Sequence, residues 1–187
     1  MARADAVHRA WGEAIFELAR AAGKIETFEA QLAGIAKLYE EHPALRTLAA
    51  TPRVRVEVKQ KFFEKAFKGQ VEPLLHNMLQ LAAAKRRLAE LPGIARAFTK
   101  VADRHQGRAR VRVTSAVALD DAARDQIARA VGDRLGKKAI LEERVLPEIL
   151  GGLIIEHGDL RVDGSLARRL SQYLRVAREK VRAPEAS

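Results

Sequence analysis

The residues most able to do chemistry in this 187-residue chain lie together in Glu156, His157, Asp159 and Asp163. A histidine beside three carboxylates has the right groups to hold a divalent metal or to relay a proton. The flanking residues argue against both. Gly151 and Gly152 lead into Leu153-Ile154-Ile155, which reads as a buried strand; Gly158-Asp159 reads as a tight turn, and Leu160 to Val162 as a returning strand. On a strand, Glu156 and His157 point to opposite faces, while Asp159 sits in the turn, so the four groups do not converge. His8, His42, His76 and His105 stand alone, and no nucleophile motif accompanies them. The expectation is no catalytic residue, no metal site and no cofactor.

The glycines of this stretch raise a second chemistry, phosphate binding. GGLIIEHG lacks the Lys-Ser/Thr pair of a phosphate loop and runs into a strand where such a loop opens a helix. Gly151 and Gly152 read instead as a bend or bulge that permits close packing. After the hairpin, Asp163-Gly164-Ser165 opens a terminal helix, with Asp163 or Ser165 accepting its first backbone N–H bonds. Leu166, Leu170, Tyr173, Leu174, Ala177 and Val181 recur along that helix at helical spacing.

The elements ahead of this unit are helical. Val7, Trp11, Ala14, Ile15, Leu18 and Ala22 form one stripe, and Ile25, Phe28, Leu32, Ile35 and Tyr39 the next, with Gly23 between. Pro43 opens a short segment through Leu48. Thr51-Pro52 supplies a cap and first-turn proline for a helix carrying Val54, Val58, Phe62, Ala66 and Phe67, although Arg53 to Val58 alternates as a strand would. Pro73 starts a fifth helix reaching Leu88, and Pro92 starts or kinks a sixth through Ile94, Phe98 and Val101. Near Gly107 the hydrophobic period changes to two: Ala109, Val111, Val113, Ser115 and Val117 alternate with polar residues. Asp120 caps a helix carrying Ala123, Ile127, Val131 and Leu135 that Gly136 closes, and residues 138 to 145 and 152 to 163 give further strands. The fold class is α+β: a six-helix bundle over residues 1–105, then a small α/β domain with a terminal helix over 106–187.

Composition narrows function. The chain has no cysteine, which excludes a disulfide scaffold, thiol catalysis and cysteine-based metal sites. Its longest apolar run falls far short of the roughly 20 residues a membrane span needs. The start, MARADAVHRAWGEAIFELA, lacks the apolar core of a signal peptide and reads as unprocessed and cytoplasmic. The formal net charge of +10 invites a nucleic-acid reading, but residues 1–105 carry 18 basic and 12 acidic side chains and residues 106–187 carry 16 and 12, so the excess is spread out. Aromatics do not interleave with the basic clusters, and the stacking platforms for single strands are missing. A basic nucleic-acid-binding regulator stays as the alternative function; attraction to acidic surfaces is general.

The first helix carries one binding hypothesis. At 100 degrees per residue, Phe16 falls opposite the main stripe, among Gly12, Ala19 and Gly23. An aromatic on a bed of small residues would let a partner helix approach closely, with Phe16 as its anchor. The other reading is a central helix that buries both faces within its own bundle.

Three stretches together resemble one family. The order GG, apolar run, turn, Val162-Asp163-Gly164-Ser165 and a helix with Leu166, Arg169, Leu170 and Tyr173 is similar to the C-terminal signature of the delta subunit of F-type ATP synthases, called in mitochondria the oligomycin sensitivity-conferring protein. Trp11, Ala14, Ile15, Phe16, Leu18 and Ala19 resemble the family's opening pattern, with Trp11 where tyrosine is usual. Arg86, Arg87, Leu88, Leu91 and Pro92 resemble its mid-chain RRL-x-x-L-P. Leu146 stands before Pro147 where the family often has an acid. The signature positions are thus Gly151, Gly152, Gly158, Asp163, Gly164 and Ser165.

The resemblance implies a non-catalytic stator subunit of the proton-translocating F-type ATP synthase. It implies an N-terminal bundle that grips the N-terminal helices of alpha subunits, and a C-terminal domain that receives the C-terminal ends of the b-type stalk. Such a subunit resists rotor torque, is not a homo-oligomer, and sits peripherally on the cytoplasmic face of the bacterial plasma membrane, held there through the complex. The alpha-helix groove is expected on the first and fifth helices, around Gly12, Phe16, Ala19 and Gly23. The stalk end is expected on the basic face of the terminal helix: Arg168, Arg169, Arg175, Arg178, Lys180 and Arg182. No nucleic acid is expected as a partner.

Overall fold

The computed structural model describes the backbone of residues 2–182 and the side chains of residues 4–175. The chain divides into two compact units, Met1–His105 and Gln106–Ser187. It is α+β, with a helical N-terminal part.

The first unit holds α1 (Ala2–Ala21), α2 (Ile25–Glu41), α3 (Pro43–Ala50), α4 (Val56–Phe67), α5 (Pro73–Ala84) and α6 (Leu91–His105), with a 3-10 turn at Leu88–Glu90 between the last two. Its core draws on every helix: Ile15 and Phe16, Phe28 and Leu32, Ala49, Phe63, Leu75 and Leu79, and Ile94 and Phe98 are all buried. Tyr39 is buried with them, and its hydroxyl donates to the Leu88 carbonyl at 2.9 Å, which ties α2 to the 3-10 turn. Burial pushes the Tyr39 phenol well above its ordinary range, so it stays a donor.

Two helix boundaries differ from the sequence expectation. The fifth helix stops at Ala84, short of Leu88, because Arg86 takes a left-handed backbone with φ 56°. Its N–H reaches the Ala83 carbonyl at 3.0 Å and the Arg87 N–H reaches Ala82 at 2.7 Å, which closes the helix in a Schellman turn. The fourth helix starts at Val56, not at Thr51-Pro52. Thr51 instead ends α3, its hydroxyl donating to the Thr47 carbonyl at 2.6 Å. The alternating Arg53 to Val58 contains no strand; its first half is the turn into α4.

The second unit is a four-stranded sheet with two helices. The strands are β1 (Arg108–Ser115), β2 (Lys138–Val145), β3 (Leu153–His157) and β4 (Leu160–Asp163), in the order β2-β1-β3-β4. β1 pairs parallel with β2 through the crossover helix α7 (Asp121–Leu135), and antiparallel with β3, which turns at Gly158-Asp159 into β4. Ala109, Val111 and Val113 alternate into the core as period two requires. Val117 lies beyond the strand and is exposed. The Asp120 carboxylate accepts from the Ala123 N–H at 2.7 Å, and Gly136 ends α7 with a left-handed backbone. Arg124 on α7 pairs with Glu143 of β2, bracing the crossover against the edge strand. The terminal helix α8 spans Leu166–Arg182.

Candidate protein-binding surfaces

The structure gives Glu156, His157 and Asp163 of the His-carboxylate cluster structural partners. Glu156 faces Arg161 across β3 and β4, with Arg161 donating to it at 2.8 Å and Arg112 on its other side at 3.9 Å. The His157 Nδ1 lies 2.9 Å from the Arg110 carbonyl. Asp159 is exposed in the turn, and among the described residues no His, Cys, Asp and Glu side chains gather to hold a metal. Of the other histidines, His8 pairs with Glu90 at 2.5 Å and His105 packs edge-on against Phe16 at 5.3 Å between ring centres. His42 is exposed at the junction of α2 and α3, and His76 is half-buried on α5.

Asp163 and Ser165 both serve the start of α8. Asp163 accepts from the Ser165 hydroxyl at 2.7 Å and from its N–H at 3.1 Å, while the Ser165 oxygen accepts the Arg168 N–H at 3.2 Å. The Ser165 hydroxyl, the Ser165 N–H and then Arg168 and Arg161 hold the Asp163 carboxyl below its ordinary range. Because the folded group is the stronger acid, its stabilisation is present above the usual carboxylate pKa and is lost as pH falls through the lowered value. Hydrogen-exchange protection of the Ser165 and Arg168 amides, taken relative to the intrinsic rate at each pH, should therefore fall on acidification below about pH 4, and Asp163→Asn should remove that pH dependence.

The seam on the first helix is filled from within. Gly12 and Ala19 are buried, Phe16 is 3% exposed, and α6 packs directly on Gly12 and Phe16. A methyl group built on Gly12 would lie 2.8 Å from the Ala97 Cβ and the Phe98 nitrogen. The Phe16 ring lies 6.1 Å from that of Phe98. Phe16 is thus a core residue of its own bundle. Gly23 takes no part in the seam; it ends α1 with φ 66° and open space around it. The large apolar side chains exposed on α1 and its neighbour α5 are Leu18 on α1, and Leu74 and Leu81 on α5.

On the terminal helix the apolar stripe lies at the surface: Leu166, Leu170, Tyr173 and Leu174 are 48%, 52%, 73% and 51% exposed. Leu160 and Val162 on β4 are exposed as well. Arg168, Arg169 and Arg175 are exposed on the same helix, Arg168 reaching Asp163 at 4.0 Å. The side chains of Arg178, Lys180 and Arg182, and of Ala177 and Val181, lie outside the described residues. Sequence reasoning missed Leu166, Leu170, Tyr173 and Leu174 as surface residues. Periodicity shows that a stripe is apolar but not whether the chain itself supplies its cover.

Gly151, Gly152 and Gly164 form the joint beneath α8. The Leu166 N–H reaches the Gly151 carbonyl at 3.0 Å, and the Gly164 N–H reaches the Leu153 carbonyl at 2.9 Å. Gly152 has φ 76° and lies flat against the Gly164 carbonyl. Among the described residues, no helix is long and apolar enough to cross a membrane.

Most of the chain is similar to known proteins. The profile of the ATP synthase delta (OSCP) subunit family matches residues 7–176. ATP synthase subunit delta of Symbiobacterium thermophilum is 33% identical over 165 residues, covering 88% of this chain and 89% of that protein. Its counterpart in Anaeromyxobacter dehalogenans is 35% identical over 180 residues, covering 92% and 97%. A chain in the cryo-EM structure of the Toxoplasma gondii mitochondrial ATP synthase hexamer shares the fold, with a TM-score of 0.67 at 18% identity over 91% of this chain and 96% of that one. On these matches, the chain belongs to the ATP synthase delta (OSCP) subunit family.

Proposed function

We propose that this chain, a peripheral-stalk subunit of an F-type ATP synthase, grips the alpha/beta catalytic head with its helical unit and the b-type stalk with α8, and so resists rotor torque. A stator needs affinity at two surfaces and no chemistry of its own, and this chain exposes large apolar side chains on both of its units. The observation that carries the reading is the uncovered stripe of α8, four large apolar side chains on one helix with arginines beside them. An amphipathic b-type C-terminal segment would bury the stripe, while the arginines aid encounter and orientation. On the other unit, the N-terminal helices of alpha subunits would lie along α1 and α5 over Leu18, Leu74 and Leu81. The subunit would act as a single copy, held at the cytoplasmic face of the bacterial plasma membrane through the complex. The alternative of a nucleic-acid-binding regulator finds no support in the family assignment.

Leu170→Asp tests the stalk side. Because Leu170 is half exposed, thermal stability should be nearly unchanged, while affinity for a b-type C-terminal segment falls by about 30-fold, roughly 2 kcal/mol. Unaltered affinity in titration calorimetry would remove α8 from the interface. A pull-down from membranes with the full chain should recover other ATP synthase subunits, and the variant should lose the stalk.

A further inference from the structure

Lys59 is the buried cation of the helical unit, only 7% exposed in the middle of α4. Its Nζ donates to the Ala49 carbonyl at 2.7 Å, which satisfies the end of α3 with one of the three ammonium hydrogens. A neutral carbonyl does not balance a buried charge, and burying one without a counter-charge is costly. Burial, and then the like charge of Arg86, disfavour the ammonium form of Lys59.

Both cations line one cavity of about 210 Å³, whose other walls are Ala49, Ala50, Pro52, Val54, Val56 and Ala89. No carboxylate is among them. The volume is below the range of pockets that take drug-sized ligands, yet equals about seven water volumes. It suits a small ion and is too small for a nucleotide.

Arg86 adds an independent observation. It occupies the left-handed position that ends α5, with φ 56°, where glycine is the least strained residue. The Schellman bonds at that position are made by the backbone and need no arginine side chain. A strained backbone that presents a cation to a cavity already holding a buried cation is the arrangement of a site, since strain of this kind gathers where ligands are held.

We propose that Lys59 and Arg86 form a binding site for a phosphate-class oxyanion, with free inorganic phosphate as the ligand. The ammonium and the guanidinium would each donate to phosphate oxygens, and the anion would supply the missing counter-charge. The role is separate from the stator reading, and its failure would leave that reading untouched.

Thermal unfolding of the full chain in sodium phosphate, against sodium chloride at matched ionic strength, tests the site. Phosphate at about 20 mM should raise the Tm of the helical unit by about 5 °C, as expected for a Kd of a few millimolar. Arg86→Gly should leave the Tm in chloride unchanged or higher, because it relieves strain, yet abolish the phosphate increment. Lys59→Met should abolish it too, and phosphorus NMR should show line broadening of phosphate with the parent chain only. No increment in the parent, or a full increment in Arg86→Gly, overturns the proposal. ATP giving an equal or larger rise than phosphate overturns the assignment to the free ion.

Discussion

Gly152→Ala is expected to lower the stability of the C-terminal unit by about 3–5 kcal/mol, the largest effect of any single methyl group added to this chain. Two costs coincide at that position. The backbone stands at φ 76°, where a Cβ brings strain. The added carbon would also fall on the Gly164 carbonyl oxygen and lie 3.2 Å from its carbon and 3.3 Å from the Ser165 Cα. These are backbone atoms at the joint between β3 and α8, so no side-chain rotation relieves the clash. Relief requires parting that joint, which breaks the Leu166 to Gly151 and Gly164 to Leu153 hydrogen bonds. Melting curves should show a Tm drop above about 12 °C for the C-terminal unit, with the helical unit little changed. Binding of the stalk segment should fall in parallel, because α8 is set in place from this joint.

Phe16→Ala should destabilise the helical unit by about 3–5 kcal/mol, the usual cost of emptying a phenylalanine site in a packed core. The ring is 3% exposed and packs between Phe98 and His105 on α6. Denaturant titration would show the loss directly. Any loss of affinity for an alpha N-terminal helix should follow the loss of fold and vanish when folded fractions are matched. A stable variant with weakened peptide binding would return Phe16 to the surface role that the sequence suggests.

Much of the fold was legible because it rests on period and punctuation. The change from helical spacing to alternation at Ala109 marks β1, and Asp120 and Gly136 bracket α7 as capping chemistry requires. The boundaries that went astray have local causes. Thr51-Pro52 has the composition of a helix start, but the threonine hydroxyl was already engaged in ending α3. Nothing in Lys85-Arg86-Arg87 announces a left-handed residue, since arginine is an unusual choice there, so the fifth helix was carried too far. The candidate site was legible in chemistry and not in sidedness. Small residues around Phe16 correctly signalled a close helix approach, but the approaching helix belongs to the same chain. The stripe on α8 was recognised, while its exposure depends on what the rest of the unit leaves uncovered, which one helix's spacing does not encode.

The pairing of β1 has a consequence for the order of events on the ribosome. Both of its sheet partners, β2 and β3, are made after it, the last of them ending at His157. The preceding unit is complete once His105 has emerged, because its last helix α6 packs on its first two, so it can condense while synthesis continues. The alternating Arg108–Ser115 segment must then wait, its amides solvated, until some forty further residues have been added. A nascent chain stalled before β3 is made, with His105 clear of the ribosome, should therefore already resist protease up to about His105 and be cut readily beyond it.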